Sequence, residues 1–371
     1  MLERAELIRI VGGLLLACVV SFLSTPLVKS LAYKLGAIDV PKDNRRMHKE
    51  PIPRLGGLAI FIAFILTSLL FADIDHEMRG ILLGALIIVI LGVVDDSKTM
   101  KAVPKFIVQI VAAGVAVGHG CVIQFISNPN VFSETTYLNL GWISYPLTII
   151  WIVAITNAVN FIDGLDGLAV GVSAISTASL LVIALMVGER NLAILLAALL
   201  GACLGFIPYN LNPAKIFMGD TGATFLGYMM ACLSVQGLFK LYAVISFAVP
   251  FLILGIPIFD ICFAIIRRVA HGQSPMQADR GHVHHRLIDS GFNQKQTVGI
   301  TYMLTAMLGL AAVVLTTSGE MRALMLIGSV LLVGGIGVGV IFHESKPEKS
   351  ADHNDPNTTG HTSEEKKPAD E

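Results

Sequence analysis

Asp95 and Asp96 stand side by side in DDSK, where a long apolar stretch gives way to polar sequence. Adjacent carboxylates repel, so a cation or a shared proton has to hold them together. Hard oxygen ligands of this kind suit Mg²⁺, which keeps several waters and is usually held by one or two carboxylates plus substrate phosphates. Lys98, one helical turn beyond Asp95, could face the same ligand as a point charge for phosphate. An exposed turn with an ion pair would also account for DDSK taken alone.

Four further clusters add to this pair. In NAVNFIDGLDG, residues 157–167, Asn157 and Asn160 share a helical face, and Asp163 and Asp166 follow if the helix persists. Gly164 and Gly167 interrupt it and allow a ligand to approach the backbone closely. Helix capping explains one of these four polar residues but not all of them. In NPAKIFMGDTG, Asp220 lies between Gly219 and Thr221 where a helix begins, and backbone N–H groups there favour an anion or a metal–phosphate complex. An N-cap is the simpler alternative. DRGHVHHR carries Arg280, His282, His284, His285 and Arg286, a dense donor set for a phosphate or diphosphate. Zinc would be the rival ligand, but no Cys or suitably spaced acid accompanies these histidines. Finally, Arg45, Arg46, His48 and Arg54 crowd residues 41–57, where they could guide an anionic substrate or simply mark a cytoplasmic loop.

The elements that must position these side chains are apolar. Hydrophobic residues make up 54% of the chain, charged residues 14%, and the mean hydropathy is +0.73. Runs of the length that crosses a bilayer recur about eleven times, at 8–31, 56–72, 79–94, 104–126, 143–160, 167–187, 192–209, 222–239, 243–265, 298–317 and 323–342. They are continuous where a membrane barrel would alternate, so the expected fold is all-α and polytopic. The first run leads straight into others and reads as a retained helix, not a signal peptide. With the N-terminus outside, six of the 26 Lys and Arg fall on the outer side and the other twenty inside. That asymmetry sets the C-terminus, and the active face, in the cytoplasm of a multi-pass cell-membrane protein.

Residues 1–342 form one membrane domain on this reading. Residues 343–371 are polar and rich in Pro, Asp, Glu and Lys, as expected of a disordered cytoplasmic tail. The net charge of −1 offers no support for nucleic-acid binding. The five cysteines lie in apolar segments without CxxC spacing and read as packing residues. The 35 glycines permit close helix packing, in a homodimer or a compact monomer alike.

On this topology every polar cluster lands on the same membrane face. A secondary transporter would place its acids near the midplane between inverted repeats, and no such repeat is visible.

DDSK, NAVNFIDGLDGLA, KIFMGDTG and DRGHVHHR, in this order, resemble the polyprenyl-phosphate N-acetylhexosamine-1-phosphate transferases over residues 10 to 340. The HVHHR segment is similar to the branch that uses UDP-GlcNAc to initiate wall teichoic acid or O-antigen synthesis; the muramoyl-pentapeptide branch carries a different histidine pattern. The resemblance implies transfer of GlcNAc-1-phosphate from UDP-GlcNAc to undecaprenyl phosphate with release of UMP. It implies Mg²⁺, or Mn²⁺ in its place, as cofactor. By motif match Asp95, Asp96 and Asp220 are the catalytic acids and metal ligands. Which of Asp95 and Asp96 binds metal or acts as base stays open. Substrate binding falls to Arg45, Arg54, Lys98, Asn157, Asn160, Asp163, Asp166, His282, His284, His285 and Arg286. UDP-MurNAc-pentapeptide or another UDP-HexNAc is the alternative donor.

Overall fold

The computed structural model describes residues 4–41, 50–127, 137–237, 248–272, 282–317 and 328. Its elements run α1 (Arg4–Leu35), β1 (Ile38–Asp39), β2 (Ile52–Pro53), α2 (Gly57–Phe71), α3 (His76–Ser97), α4 (Ala102–Gly118), β3 (Phe125–Ser127), β4 (Tyr137–Asn139), α5 (Ser144–Phe161), α6 (Leu168–Val187), α7 (Arg190–Asn210), α8 (Gly219–Gly237), α9 (Ala248–Ile253), α10 (Gly255–Ala270), α11 (Val283–Asp289) and α12 (Gln294–Thr317). Among the described residues six segments are long and apolar enough to cross a membrane: α1, α3, α5 with its leading turn, α6, α7 and α12. α2 and α4 are apolar but shorter. Among the described residues no sheet exceeds two strands: β1 pairs antiparallel with β2 and β3 with β4. The chain is therefore an all-α membrane protein.

α8 occupies the centre. It packs against α2, α3, α5, α6 and α7, and most of its residues are buried, from Thr221 through Val235. Leu, Ile and Phe side chains of α1 and α4, by contrast, point outward, as lipid-facing residues do. α1 lies along α7 and α2, and α12 covers α6.

The two ends of the bundle differ in kind. At one, Glu6 of α1 pairs with Arg190 of α7, while Asp73 and Asn191 exchange two hydrogen bonds of 2.8 and 2.9 Å. Asp75 caps α3 there, accepting the Met78 N–H at 2.7 Å. The opposite end gathers DDSK, the NAVNFIDGLDG turn and the start of α8.

Two expected spans are divided. The run 104–126 is helical only to Gly118; Gly120 takes a φ of +106°, and the chain then extends into β3. In 243–265 the described part is two helices broken at Leu254. Pro257 has no N–H to offer the carbonyl of Ile253, and that carbonyl accepts the Ser176 hydroxyl of α6 at 2.8 Å instead. The eleventh expected span and the tail lie outside the described residues, apart from residue 328.

Candidate active site

The site begins with a backbone pairing that the sequence does not announce. The segment entering α2 runs beside the segment entering α8: Phe217 N–H donates to Pro53 O at 2.8 Å, Gly56 N–H to Phe217 O at 2.9 Å, and Gly57 N–H to Met218 O at 2.8 Å. Missing side chains permit this approach. A Cβ on Gly57 would stand 2.0 Å from Gly222 N, one on Gly92 of α3 would stand 2.3 Å from Thr221 Cα, and one on Gly219 would meet Asp96 Oδ2 at 2.5 Å. Gly219 also holds a φ of +72°, a conformation other residues rarely take. Glycine thus draws the ends of α2, α3 and α8 into contact.

Asp96 then seals the junction. Its buried carboxylate accepts Asp220 N–H at 3.0 Å, Thr221 N–H at 2.9 Å and the Thr221 hydroxyl at 2.6 Å, so α3 supplies the cap for α8. Arg54 Nε completes the set at 3.1 Å from Asp96 Oδ1, and its Nη2 lies 4.0 Å from Asp220 Oδ1. Burial opposes the charge on Arg54, but Asp96 and Asp220 outweigh it and hold the guanidinium pKa above its ordinary value. Both Asp96 oxygens are engaged in this way, whereas Asp95, whose Oδ1 accepts the Met100 N–H at 2.6 Å, turns its Oδ2 together with that of Asp220 toward a cation.

Those two carboxylates share one basic partner. Lys105 of α4 bridges them, its Nζ pairing with Asp95 Oδ2 and lying 2.8 Å from Asp220 Oδ2. The cation or shared proton expected from DDSK concerned Asp95 and Asp96; the cation here joins Asp95 to Asp220 instead. The lysine that fills the role is a different one: Lys98, the C-cap of α3, is exposed. α3 ends at Ser97, so the helical face that would have joined Lys98 to Asp95 does not continue.

The end of α5 faces this cluster. Asn157 donates to Gln109 Oε1 of α4 at 2.6 Å and to Val153 O at 2.8 Å, which fixes its amide; the Gln109 side chain is itself buried. Asn160 lies one turn on, and its carbonyl accepts the Asp163 N–H. Asp163 sits in the turn after α5, where burial, reinforced by Asp220 and Asp96, pushes its carboxyl pKa up to about 8. Asp166 turns toward the segment between α7 and α8: its Oδ2 accepts Asn212 Nδ2 at 3.0 Å and Ala214 N–H at 3.1 Å. Gly167 N–H, on Asn210 Oδ1 at 3.1 Å, clamps the same turn.

The histidine segment closes the arrangement. His284 is buried over Gly164, where a Cβ would stand 2.3 Å from its Nε2, and that nitrogen has no hydrogen-bond partner among the described residues. Burial, then His285, lowers the His284 pKa to about 3, so it is a neutral imidazole near pH 7. His285 packs on His284 at 4.3 Å between ring centroids, and Arg286 lies over the Phe263 ring of α10 at 4.6 Å. His282 Nδ1 meets Asp260 Oδ2 of α10 at 2.7 Å. Arg45, Arg46, His48 and Arg280 lie outside the described residues.

Lys105, Gln109 and Asp260 are therefore residues that motif reading passed over. Each stood as a polar side chain inside an apolar run, and a lone ionisable group at that depth is itself a signal of function.

Among the described residues no three His, Cys, Asp or Glu side chains form a ready metal cage. Asp95 and Asp220, two carboxylates already bridged by one cation, are the residues that could hold Mg²⁺ together with waters and substrate phosphates.

An apolar helical bundle with acids, a lysine and an arginine converging at one end defines a polytopic membrane protein with a charged site at that end. Residues 78–238 match the glycosyl transferase family 4 profile. Among curated proteins, the chain is 42% identical over 324 residues to the Bacillus subtilis (strain 168) "Probable undecaprenyl-phosphate N-acetylglucosaminyl 1-phosphate transferase", covering 87% of this chain and 89% of that one. It is 32% identical over 350 residues to the decaprenyl-phosphate N-acetylglucosaminephosphotransferase of Mycobacterium tuberculosis (strain H37Rv), 86% of each chain. The undecaprenyl-phosphate alpha-N-acetylglucosaminyl 1-phosphate transferase of Escherichia coli (strain K12) is 29% identical over 287 residues, 76% of this chain and 77% of that one. The chain belongs to glycosyl transferase family 4.

Proposed function

We propose that the protein transfers GlcNAc-1-phosphate from UDP-GlcNAc to undecaprenyl phosphate, giving undecaprenyl-diphospho-GlcNAc and UMP. The observation that carries this reading is the Asp95–Lys105–Asp220 bridge flanked by Arg54 at one end of an apolar bundle. The names of the relatives point to the same donor and acceptor classes.

In the reaction a phosphate oxygen of the lipid attacks the sugar-bearing phosphorus of UDP-GlcNAc, and the bond from that phosphorus to the UMP oxygen breaks. No protein nucleophile is needed. A phosphate monoester is already largely dianionic near neutrality, so no strong base is demanded. Asp95 and Asp220 would hold Mg²⁺, or Mn²⁺ in its place. When bound, the metal neutralises charge on the diphosphate and on departing UMP. Lys105, released from its two carboxylates, and Arg54 bind phosphate oxygens as fixed positive charges. Asp96 positions Asp220 by capping α8. Asn157, Asn160 and Asp163 lie against the nucleotide or the metal site, with Asp166 holding their turn. His282, His284, His285 and Arg286 bind diphosphate and sugar, His284 by hydrogen bonding because it is neutral. Arg45 and Lys98 guide the anionic substrates.

In this reading residues 1–342 cross the cell membrane eleven times with the N-terminus outside, the site faces the cytoplasm, and residues 343–371 form a cytoplasmic tail. The product feeds a cell-wall glycopolymer such as teichoic acid, and the enzyme works as a monomer or homodimer. The test is UMP release by purified protein. It should require undecaprenyl phosphate and Mg²⁺ together, and release that ignores the lipid would sink the proposal. Competition among UDP-GlcNAc, UDP-MurNAc-pentapeptide and other UDP-HexNAc donors decides the sugar.

A further inference from the structure

Asp260 is one of few ionisable groups buried away from the carboxylate cluster. It sits on α10 in the run GIPIFDICFAII, 2% exposed, and both of its oxygens are committed to the histidine segment. Oδ2 lies 2.7 Å from His282 Nδ1, and Oδ1 accepts the Val283 N–H at 2.8 Å. Arg286 of α11 also lies over Phe263 of α10 across this junction.

A buried carboxylate without partners is costly, so a side chain kept in an apolar helix for two hydrogen bonds needs a reason. Capping Val283 explains one oxygen. The other chooses between the two ring nitrogens of His282. A carboxylate can only accept, so the nitrogen facing it must carry a proton; the tautomer follows from the hydrogen-bond geometry. His282 Nε2 makes no hydrogen bond among the described residues and is the nitrogen left for a ligand. Phe161, with ring centroids 5.7 Å away, and His284, stacked within 5° of parallel at 5.8 Å, flank the imidazole so that its plane is set as well.

We infer that Asp260 is a positioning residue that fixes the tautomer and ring plane of His282 and presents its Nε2 to the donor substrate. The inference rests on the transferase reading for its kinetic consequence, though not for its structural one. Asp260→Asn is the discriminating change. Asn is nearly isosteric, but with its carbonyl on Val283 N–H its amide N–H₂ faces His282. Nδ1 must then accept, and the proton moves to Nε2.

The experiment uses the full-length protein in lipid nanodiscs, with ¹⁵N-labelled histidine and His282→Gln to assign the signal. Wild type should show the proton on Nδ1, and Asp260→Asn should move it to Nε2. For UMP release, Asp260→Asn should lower kcat/KM for UDP-GlcNAc by roughly 10–100-fold, the loss typical when the partner orienting a functional histidine is removed. The double variant Asp260→Asn/His282→Gln should be no worse than His282→Gln alone. Losses that multiply in the double variant, or an unchanged His282 tautomer in Asp260→Asn, overturn the inference. If Asp260→Asn does not fold, Asp260→Glu takes its place: a longer carboxylate keeps the proton on Nδ1 while shifting the ring, so reduced kcat/KM with an unchanged tautomer is expected and full activity refutes positioning. A wild-type protein that releases no UMP strikes the transferase reading instead, and the tautomer measurement still judges Asp260.

Discussion

Substituting Gly92 by Ala tests whether glycine contact is what assembles the site. The added Cβ would stand 2.3 Å from Thr221 Cα, 2.7 Å from Thr221 N and 3.1 Å from the Asp220 carbonyl carbon. All three are backbone atoms of α8, so no side chain can swing aside. Restoring ordinary contact, 3.4 Å or more, separates α3 from α8 by about 1 Å. Asp96 lies one turn beyond Gly92 on α3, and its 2.9 Å bond from Thr221 N–H does not survive such a shift. The expected stability loss is about 1–3 kcal/mol, as for other overpacked contacts. Activity should fall further, because a 1 Å misplacement of reacting groups can cost about 10²-fold. Purified Gly92→Ala would be assayed for UMP release and thermal midpoint beside Gly114→Ala, whose Cβ meets nothing within 4 Å and whose turnover should match wild type. Wild-type turnover in folded Gly92→Ala would refute the argument that this contact sets the Asp95–Asp220 geometry.

Asp220→Asn should nearly abolish turnover while leaving membrane insertion intact; a variant as active as wild type would remove Asp220 from the metal. Lys105→Met leaves Asp95 and Asp220 without their bridge, and its UMP release should drop by roughly 10²-fold or more even at saturating Mg²⁺, since phosphate binding is lost with the charge. Full rescue by added Mg²⁺ would reduce Lys105 to a counter-ion. Asp163 favours a protonated fold when metal is absent, so its contribution is complete below its ordinary pKa and is lost as pH rises through about 8. Chelator-treated protein should therefore melt lower at about pH 8.5 than at about pH 6.5, and Asp163→Asn should flatten that slope. Deleting residues 347–371 should change turnover little, because that stretch has no large apolar side chain to pack; a large loss would assign it a role.

Apolar run length was enough to indicate an all-α membrane protein, and motif order was enough to indicate the family. Residue spacing reached Asp95, Asp220 and the turn holding Asp163, because unusual polar residues stand out against an apolar background. It failed where partners come from another element. Lys98 has the right spacing from Asp95 only if α3 continues, and α3 stops at Ser97; Lys105 reaches the acids from the next helix. Asp96 and Asp95 look alike in sequence, and only the approach of α8 distinguishes the acid that caps a helix from the acid that meets Lys105. The division between α9 and α10 was marked by Gly255 and Pro257, but hydropathy averaged over a window passes across both.

α8 has a consequence for how the chain enters the bilayer. At 19 residues it is long enough to span, yet it is not among the six segments apolar enough to do so alone. Its glycines, threonines and serine suit a protein environment better than lipid. The bilayer therefore hosts α8 only inside the sleeve that α2, α3 and α5 make around it, and the position of Asp220 is inherited from those neighbours.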